Sequence, residues 1–432
     1  MNILIKNVHV ITGNMNNMYT GIMNIAIKKD TIYYIGNEIP PGFKAERIIE
    51  GREMIAMPGL VNAHTHSTMV LMRNASDDLP LERWLNESIL PKEKKLTKDI
   101  IRKGSMLGMA EMIKSGTTTF LDMYLEMETI TEAVIETGMR ANISYGLQTC
   151  DRLFQGTEFA AKYCSDFKRK YDNANNGKIK TSIEVHSVYL CDEELLRANA
   201  KLSREINSPV HIHLHETRIE VETSKLKYGR SPIKECLKAG IFDVPAIAAH
   251  TIWLDDEDMQ ILKDHHVTPV HNPSSNLKLA SGIARVPDMI KMGIDVAIGT
   301  DGAASNNNMD MFEEMHLTSL IHKGVKLDAT SVNASQTIHM ATINGAKALG
   351  FQKIGMLEVG MKADIILVNT TGLNNTPLNN PVSAIVYSTR GNDVDTVICN
   401  GDILMEGREL KTIDEEKVKF EANAAAKQLL ES

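Results

Sequence analysis

Two histidines, His64 and His66, stand two residues apart in PGLVNAHTHS (58–67). In an extended strand that spacing turns both rings to one side, where they can chelate one ion. Neutral imidazole nitrogens suit Zn²⁺ and similar divalent metals. Residues 209–216, PVHIHLHE, bring three more histidines at alternate positions, His211, His213 and His215, followed by Glu216. Periodicity alone makes these three equivalent, spaced ~6.6 Å apart along one face. His250 closes the apolar run AIAAH, and Asp301 leaves a further apolar run at a Gly turn in AIGTDGAASNN. Any one of these would ordinarily be a satisfied interior residue. Four such groups in chain order, each where an apolar strand ends, supply the three or four N and O donors of an open metal site.

Such residues need a scaffold that gathers strand ends. From about 57 to 350, short apolar runs alternate with helical patterns: FLDMY then ETITEAVIETG, NISYGL, IEVHSVYL then DEELLRANAKLSREI, VHIHLHE, AIAAHTIWL, VTPVHNP and DVAIGTDG. With the strand ending in NAHTH this makes about eight β/α units, the count of a TIM-type barrel, whose active sites lie at the C-terminal strand ends. Over 99–115, Met106, Met109, Ala110 and Ile113 recur as the buried stripe of a helix. Residues 1–56 read as short antiparallel strands (ILIKNVHVI, MNIAIKK, TIYYIG). Strands return after about 355 as DIILVN, AIVYSTR and DTVICNGDILMEG, the last an Asn-Gly hairpin. A final amphipathic helix is expected over about 414–430. The simplest arrangement joins the two β-rich ends into one small sheet domain.

The 432 residues exceed the needs of one ordinary core. A net charge of −8, with no block of one sign, gives no footprint for nucleic acid or a membrane surface. Five widely spaced cysteines without a CxxC pair argue against a disulfide framework and for a reducing cytoplasm. The N-terminal residues MNILIKNVHVITG lack the apolar run and cleavage site of a signal peptide, and no run approaches a membrane span of ~18 apolar residues.

The pattern PGLVNAHTH…HLHE…AAH…GTDGAASNN, with the closing GMLEVGMKADIILVN, resembles the amidohydrolase superfamily over essentially the whole chain. That resemblance implies α/β architecture: a distorted TIM (β/α)8 barrel at 57–355, catalytic, with a β-sandwich formed by 1–56 and 356–432. Carried over by position, it implies His64, His66, His213 and Asp301 as metal ligands, Glu216 as proton shuttle and His250 as the residue orienting the attacking water. Glu216, His250 and Asp301 form the implied catalytic set. His211 then lies one layer deeper as a hydrogen-bonded interior residue, and His215 has no role. SIEVHSVYL holds no Lys to bridge two metals, so one divalent ion per subunit is expected, Zn²⁺ first, with Fe²⁺ or Mn²⁺ as alternatives. A bound divalent metal lowers the pKa of water to about 7. A protonated carboxyl opposite a ring nitrogen then suits hydrolytic deamination. The H-x-E…P-C-x-x-C signature of the other zinc deaminases is absent.

Residues 77–97, DDLPLERWLNESILPKEKKLT, further resemble the 5-methylthioadenosine/S-adenosylhomocysteine deaminases. The resemblance places Trp84, Glu93, His186 and Ser305 on a nucleoside substrate, Glu93 reading the ribose hydroxyls. Tyr145 stands where an arginine for the homocysteine carboxylate is expected, with Arg152 as its substitute. Neutral 5′-substituted adenosines are therefore expected to be preferred. The expected partner is a small-molecule nucleoside, without nucleic acid or membrane, and self-association into a homo-oligomer stays open. Rival readings are a relative acting on guanine, cytosine, a pterin or an s-triazine, and a scaffold that has lost catalysis.

Overall fold

The computed structural model describes residues 1–147 and 157–431. Arg152 and Cys150 lie outside the described residues. The N-terminal strands are β1 (Asn2–Ile11), β2 (Tyr19–Lys28), β3 (Thr31–Gly36), β4 (Arg47–Glu50) and β5 (Met54–Pro58). Eight barrel strands follow: β6 (Leu60–Thr65), β7 (Thr117–Met123), β8 (Arg140–Tyr145), β9 (Ile179–Val185), β10 (Val210–Leu214), β11 (Ala246–His250), β12 (Thr268–His271) and β13 (Ala297–Ile298). The chain ends with β14 (Ile365–Asn369), β15 (Val394–Cys399), β16 (Asp402–Glu406), β17 (Glu409–Leu410) and a helix, Glu415–Glu431.

Each of the eight apolar runs forms a strand, and β6 to β13 pair in sequence order, parallel throughout. The intervening helices bury one stripe against them. In helix Lys98–Lys114, Met106, Met109, Ala110 and Ile113 are all buried. The last strand, β13, has only two residues, so the seam back to β6 needs help from side chains. Asn62 accepts from Thr300 N–H (2.9 Å) and donates to Thr300 Oγ1 (2.7 Å), while Asp301 N–H donates to His64 O (3.0 Å). Gly299 is required at this seam: a Cβ there would lie 2.8 Å from His64 N and 2.9 Å from His64 O. Closing the barrel therefore also brings Asp301 to His64.

The two β-rich ends do join. β14 pairs antiparallel with β5 over five residues, which makes one nine-stranded sheet from both ends of the chain. Its central strands are buried on both faces. Ala56, Ile365, Leu367 and Ile398 enter a small core within the sheet domain, while Ile55, Met57, Ile366, Val368 and Val397 face the barrel. The N-terminal part is mixed rather than purely antiparallel, because β1 pairs parallel with β4 and β5. The Asn-Gly hairpin is present, with Asn400 at φ 53° and Gly401 at φ 81° as its turn. AIVYSTR is not a strand; residues Pro381–Tyr387 are helical. Asn380 caps that helix by accepting from Ser383 N–H (3.1 Å), and Pro381 occupies its first turn, a start signal that outweighs β-branched composition. Among the described residues no helix is long and apolar enough to cross a membrane.

A buried ion pair ties barrel to sheet. Arg140, opening β8, donates from Nε to Asp364 Oδ2 (2.9 Å) and from Nη2 to Asp364 Oδ1 (3.1 Å). Its guanidinium lies 5.1 Å from the centre of the Phe351 ring. Arg140→Met leaves the Asp364 carboxylate buried without its cation, a change expected to cost about 3–5 kcal/mol. A fall in the urea midpoint checks this, and Asp364→Leu added to Arg140→Met is expected to return much of the loss.

Candidate metal centre and active-site cleft

The site is assembled at the C-terminal ends of β6, β10, β11 and β13. His64 and His66 come from the end of β6, with rings 4.8 Å apart and nearly perpendicular. Asp301 Oδ1 lies 3.4 Å from His64 Nε2 and 3.2 Å from His66 Nε2. His213 Nε2 lies 3.3 Å from His66 Nε2, and the His213 ring is 4.8 Å from that of His64. His250 stacks on His213 at 5.6 Å, and its Nε2 is 3.8 Å from Glu216 Oε2. Two sets, His64–His66–Asp301 and His64–His213–His250, place their donor atoms within 4.8 Å of one another. All the implied ligands and the implied catalytic set thus come together.

The other nitrogen of each ring explains why the inward nitrogens carry lone pairs. His66 Nδ1 donates to Met123 O (2.6 Å), and His213 Nδ1 donates to His186 O (2.8 Å). His250 Nδ1 meets Asn276 Oδ1 at 2.8 Å. For His64 the direction is set at a distance. Asn142 Nδ2 donates to Leu349 O (3.2 Å), which leaves Asn142 Oδ1 to accept from Ser182 Oγ (2.8 Å). Ser182 Oγ then accepts from Ser144 Oγ (2.8 Å), Ser144 Oγ from His211 Nδ1 (2.9 Å), and His211 Nε2 from His64 Nδ1 (2.9 Å). His64 Nε2 emerges buried, with no hydrogen-bond partner and its lone pair turned inward. A buried polar atom without a partner is costly unless a ligand meets it, and a metal ion is the ligand this donor set fits.

Electrostatics agrees. Burial holds the His64 imidazole down to about 4, and burial keeps His211 and His213 well below the usual range. Burial also opposes charge on Asp301, but the neighbouring His64 and His66 rings outweigh it and hold this carboxyl well below the usual carboxylate range. His66 moves the other way: burial opposes its charge, but the Asp301 carboxylate and the Met123 carbonyl outweigh it and raise this imidazole to about 9, so the buried carboxylate demands positive charge beside it, a place a divalent cation can take. Asp301 Oδ2 faces away and accepts from Ser275 Oγ (2.7 Å) and Ser305 Oγ (3.0 Å). For Glu216, burial raises the carboxyl, so it keeps its proton to higher pH than a surface glutamate.

His215 departs from its neighbours. The chain turns there at φ 54°, and the ring bonds Trp253 O through Nδ1 (2.8 Å) and Ile233 N–H through Nε2 (3.1 Å). His250 (φ 72°) and Asp301 (φ 62°) also adopt left-handed backbone at their strand ends. Non-glycine residues held there are a mark of functional turns.

Above the donors lies a cleft lined by His66, Trp84, Glu93, His186, His213, Glu216, His250 and Asp301. Leu81, Leu85, Leu90, Leu125 and Leu279 form its apolar wall. Trp84 and Glu93 sit on one helical segment, Leu81–Glu93, whose Trp84–Ile89 part is wound as a π-helix. Ser305 is placed behind Asp301 rather than on the wall. Ser275, the leucines and Glu184 were not singled out by residue type. Serine and leucine carry no chemical signal of their own, and only the fold puts them here.

A parallel barrel with imidazole and carboxylate donors on its C-terminal rim defines a metal-dependent hydrolase. Residues 55–404 match the amidohydrolase family model. A 5-methylthioadenosine/S-adenosylhomocysteine deaminase of Acetivibrio thermocellus is 54% identical over 100% of both chains. A 5′-deoxyadenosine deaminase of Methanosphaera stadtmanae is 42% identical over 95% of this chain and 97% of its own. A solved adenosine deaminase from Xanthomonas campestris with bound zinc superposes with a TM-score of 0.94 at 29% identity, over 100% of this chain and 99% of that one. The chain belongs to the amidohydrolase family and, within it, to the 5-methylthioadenosine/S-adenosylhomocysteine deaminase family.

Metal analysis separates the two interior histidines. His213→Asn removes an inward nitrogen and is expected to abolish stoichiometric metal. His211→Asn only interrupts the relay behind His64 and is expected to weaken metal about 10- to 100-fold in competition with a chelator. The reverse order would overturn this reading of the strand.

Proposed function

We propose that this protein hydrolytically deaminates 6-aminopurine nucleosides bearing a small neutral 5′ substituent, with one bound Zn²⁺. The observation that carries the proposal is the convergence of His64, His66, His213 and Asp301 beside Glu216 and His250, under a cleft lined by Trp84, Glu93 and His186. His64, His66, His213 and Asp301 would hold the metal. When bound, a divalent ion supplies the Lewis acidity that makes water nucleophilic at neutral pH. His250, fixed through Nδ1 by Asn276, orients the attacking water with Nε2. Asp301 takes its proton at Oδ1, since Oδ2 is committed to two serine hydroxyls. Glu216, whose carboxyl burial raises, gives a proton to the ring nitrogen next to C6, which makes that carbon electrophilic. The water oxygen adds to C6, the proton held on Asp301 passes to the amino nitrogen, the C6–N bond breaks as ammonia departs, and the hydroxyl proton of the adduct returns to Glu216, leaving the 6-oxopurine.

Glu93 and Trp84 support the nucleoside reading. Glu93 has the chemistry to accept from two ribose hydroxyls. The Trp84 indole N–H is buried on the cleft wall without a hydrogen-bond partner, a donor suited to a substrate acceptor. His186, whose carbonyl already holds His213, meets the purine from the opposite wall. The substituent preference rests on the leucine wall and on Tyr145. That ring is fully buried against Tyr163 and Phe167, at 5.0 and 5.2 Å, and offers no cation to a carboxylate. The cleft lining among the described residues holds no Lys or Arg. The buried free thiols of Cys236 and Cys399 favour a cytoplasmic setting. A scaffold without catalysis would have no use for a partnerless His64 Nε2.

Loss of the adenine chromophore provides the assay. 5′-Methylthioadenosine or 5′-deoxyadenosine is expected to show a higher kcat/KM than S-adenosylhomocysteine, and the opposite ranking would refute the preference. Glu93→Gln is expected to raise KM for nucleosides by about tenfold or more through loss of a charge-assisted hydrogen bond. Wild-type KM in that variant, or rapid turnover of free bases, would favour an enzyme of another ring class.

A further inference from the structure

Glu216 sits in a tight turn, with only three residues separating β10 from the helix Arg218–Tyr228. Thr217 caps that helix by accepting from Glu220 N–H (3.1 Å). In the usual capping box the glutamate at the third helical position reaches back to the cap residue's own N–H. Here Glu220 reaches further. Its Oε1 accepts from His215 N–H (3.2 Å) and its Oε2 from Glu216 N–H (2.7 Å). Both of these carboxylate contacts are to the backbone of the turn, and the side chain does not line the cleft. Glu220 is only 5% exposed, and Glu216 4%.

We infer that Glu220 is a positioning residue that locks the backbone on which Glu216 carries its proton, a role that rests on the proposed function of Glu216. Three observations converge on it. The turn must hold His215 at φ 54°, a conformation that a β-rich sequence does not favour unaided. The two N–H groups at the turn are buried in a region where an unpaired donor is costly. One carboxylate fixes both, and the bidentate contact sets the orientation of consecutive peptide planes and hence the direction of the Glu216 side chain. His213 lies within the strand before the turn and Glu216 within the turn itself, so a lock at 215 and 216 acts on the proton carrier and leaves the ring of His213, held by His186 O, in place.

The test compares Glu220→Gln, Glu220→Asp, Glu216→Gln and the Glu216→Gln/Glu220→Gln pair in the metal-loaded enzyme, with metal content and thermal unfolding measured on each. An amide at 220 turns an NH₂ toward one of the two N–H groups. Its expected effect is a fall in kcat of about 10- to 100-fold from misplacement of a reacting group. KM and metal content are expected to stay near wild type. Glu220→Asp, one methylene shorter, is expected to lie between, and carries the same comparison if the Gln variant does not fold. On the Glu216→Gln background, adding Glu220→Gln is expected to lower the residual turnover by less than about threefold, because residues acting as a unit are non-additive. The inference is overturned by wild-type kcat in both Glu220 variants, or by their full loss repeated on the Glu216→Gln background. If Glu216→Gln itself turns over at the wild-type rate, the proposed role of Glu216 fails first. If Glu216→Gln is crippled and the Glu220 variants are not, the positioning inference alone fails.

Discussion

The molecule depends on presenting several neutral imidazole nitrogens and one carboxylate oxygen to a single point inside a packed barrel. Imidazoles this close cannot all be cationic, and a buried carboxylate beside them attracts protons as readily as metal. The protein resolves the conflict by giving each ring an acceptor on its far side. His66 uses the carbonyl at the end of the neighbouring strand β7, and His213 uses the carbonyl just past β9. His64 reaches across the barrel to His211. The metal-facing lone pairs are therefore a consequence of strand register. A one-residue slip of any of these strands would exchange interior for exterior side chains and remove the acceptor along with the ligand.

A second layer holds the turns on which those residues sit. Left-handed backbone at His215, His250 and Asp301 stores strain of about 1–3 kcal/mol at each position, and strain of that size persists only where the surroundings determine it fully. Buried carboxylates away from the cleft do this repeatedly. Asp122 accepts from Ser67 N–H (3.0 Å) and Thr65 Oγ1 (3.3 Å), the residues flanking His66. Glu314 accepts from Ser274 N–H (3.2 Å) and Asn306 Nδ2 (2.8 Å), next to the two serines that bond Asp301. Burial pushes Glu314 and Glu220 upward, and the N–H groups they accept from pull them back down. Such groups are costly to bury, and their hydrogen bonds to otherwise unpaired turn groups offset that cost.

Much of this was legible in the residues, for reasons that follow from periodicity. Eight apolar runs separated by helical patterns specify a parallel barrel, because strands covered on both faces read as continuous apolar stretches. Histidine and aspartate at the ends of such runs have no solvent to face, so their chemistry stands out. Asn400-Gly401 specifies its turn by the left-handed conformation it requires. The missed features depend on partners distant in sequence. Asn62 is an unremarkable strand residue until Thr300 comes beside it, and Ser144, Ser182 and Asn142 become a relay only once His211 and His64 are superposed on them. AIVYSTR misled because its composition favours a strand, while its helix is decided by Asn380 and Pro381 just before it. Thr217-x-x-Glu220 has the spacing of a capping box, but nothing local says that the glutamate overshoots to the residues before the cap.

The two halves of the cleft obey different physics, and that division explains how one barrel can serve several substrates. The floor is built from strand ends whose hydrogen bonds run into the barrel interior, so moving one donor disturbs several. The wall formed by Leu81–Glu93 is a short helical segment with a π-wound stretch, attached to the barrel by apolar packing of Trp84 and Ile89. Packing of that kind tolerates exchange of one apolar side chain for another of similar volume, whereas the floor's directional bonds do not. Chemistry is thereby confined to the rigid part and substrate choice to the adaptable part. The constraint that orients the imidazoles at the floor places no demand on which residue stands at 81, 85 or 90. On the proposed function, selection of the 5′ substituent would be free to vary there without disturbing the proton path through Glu216.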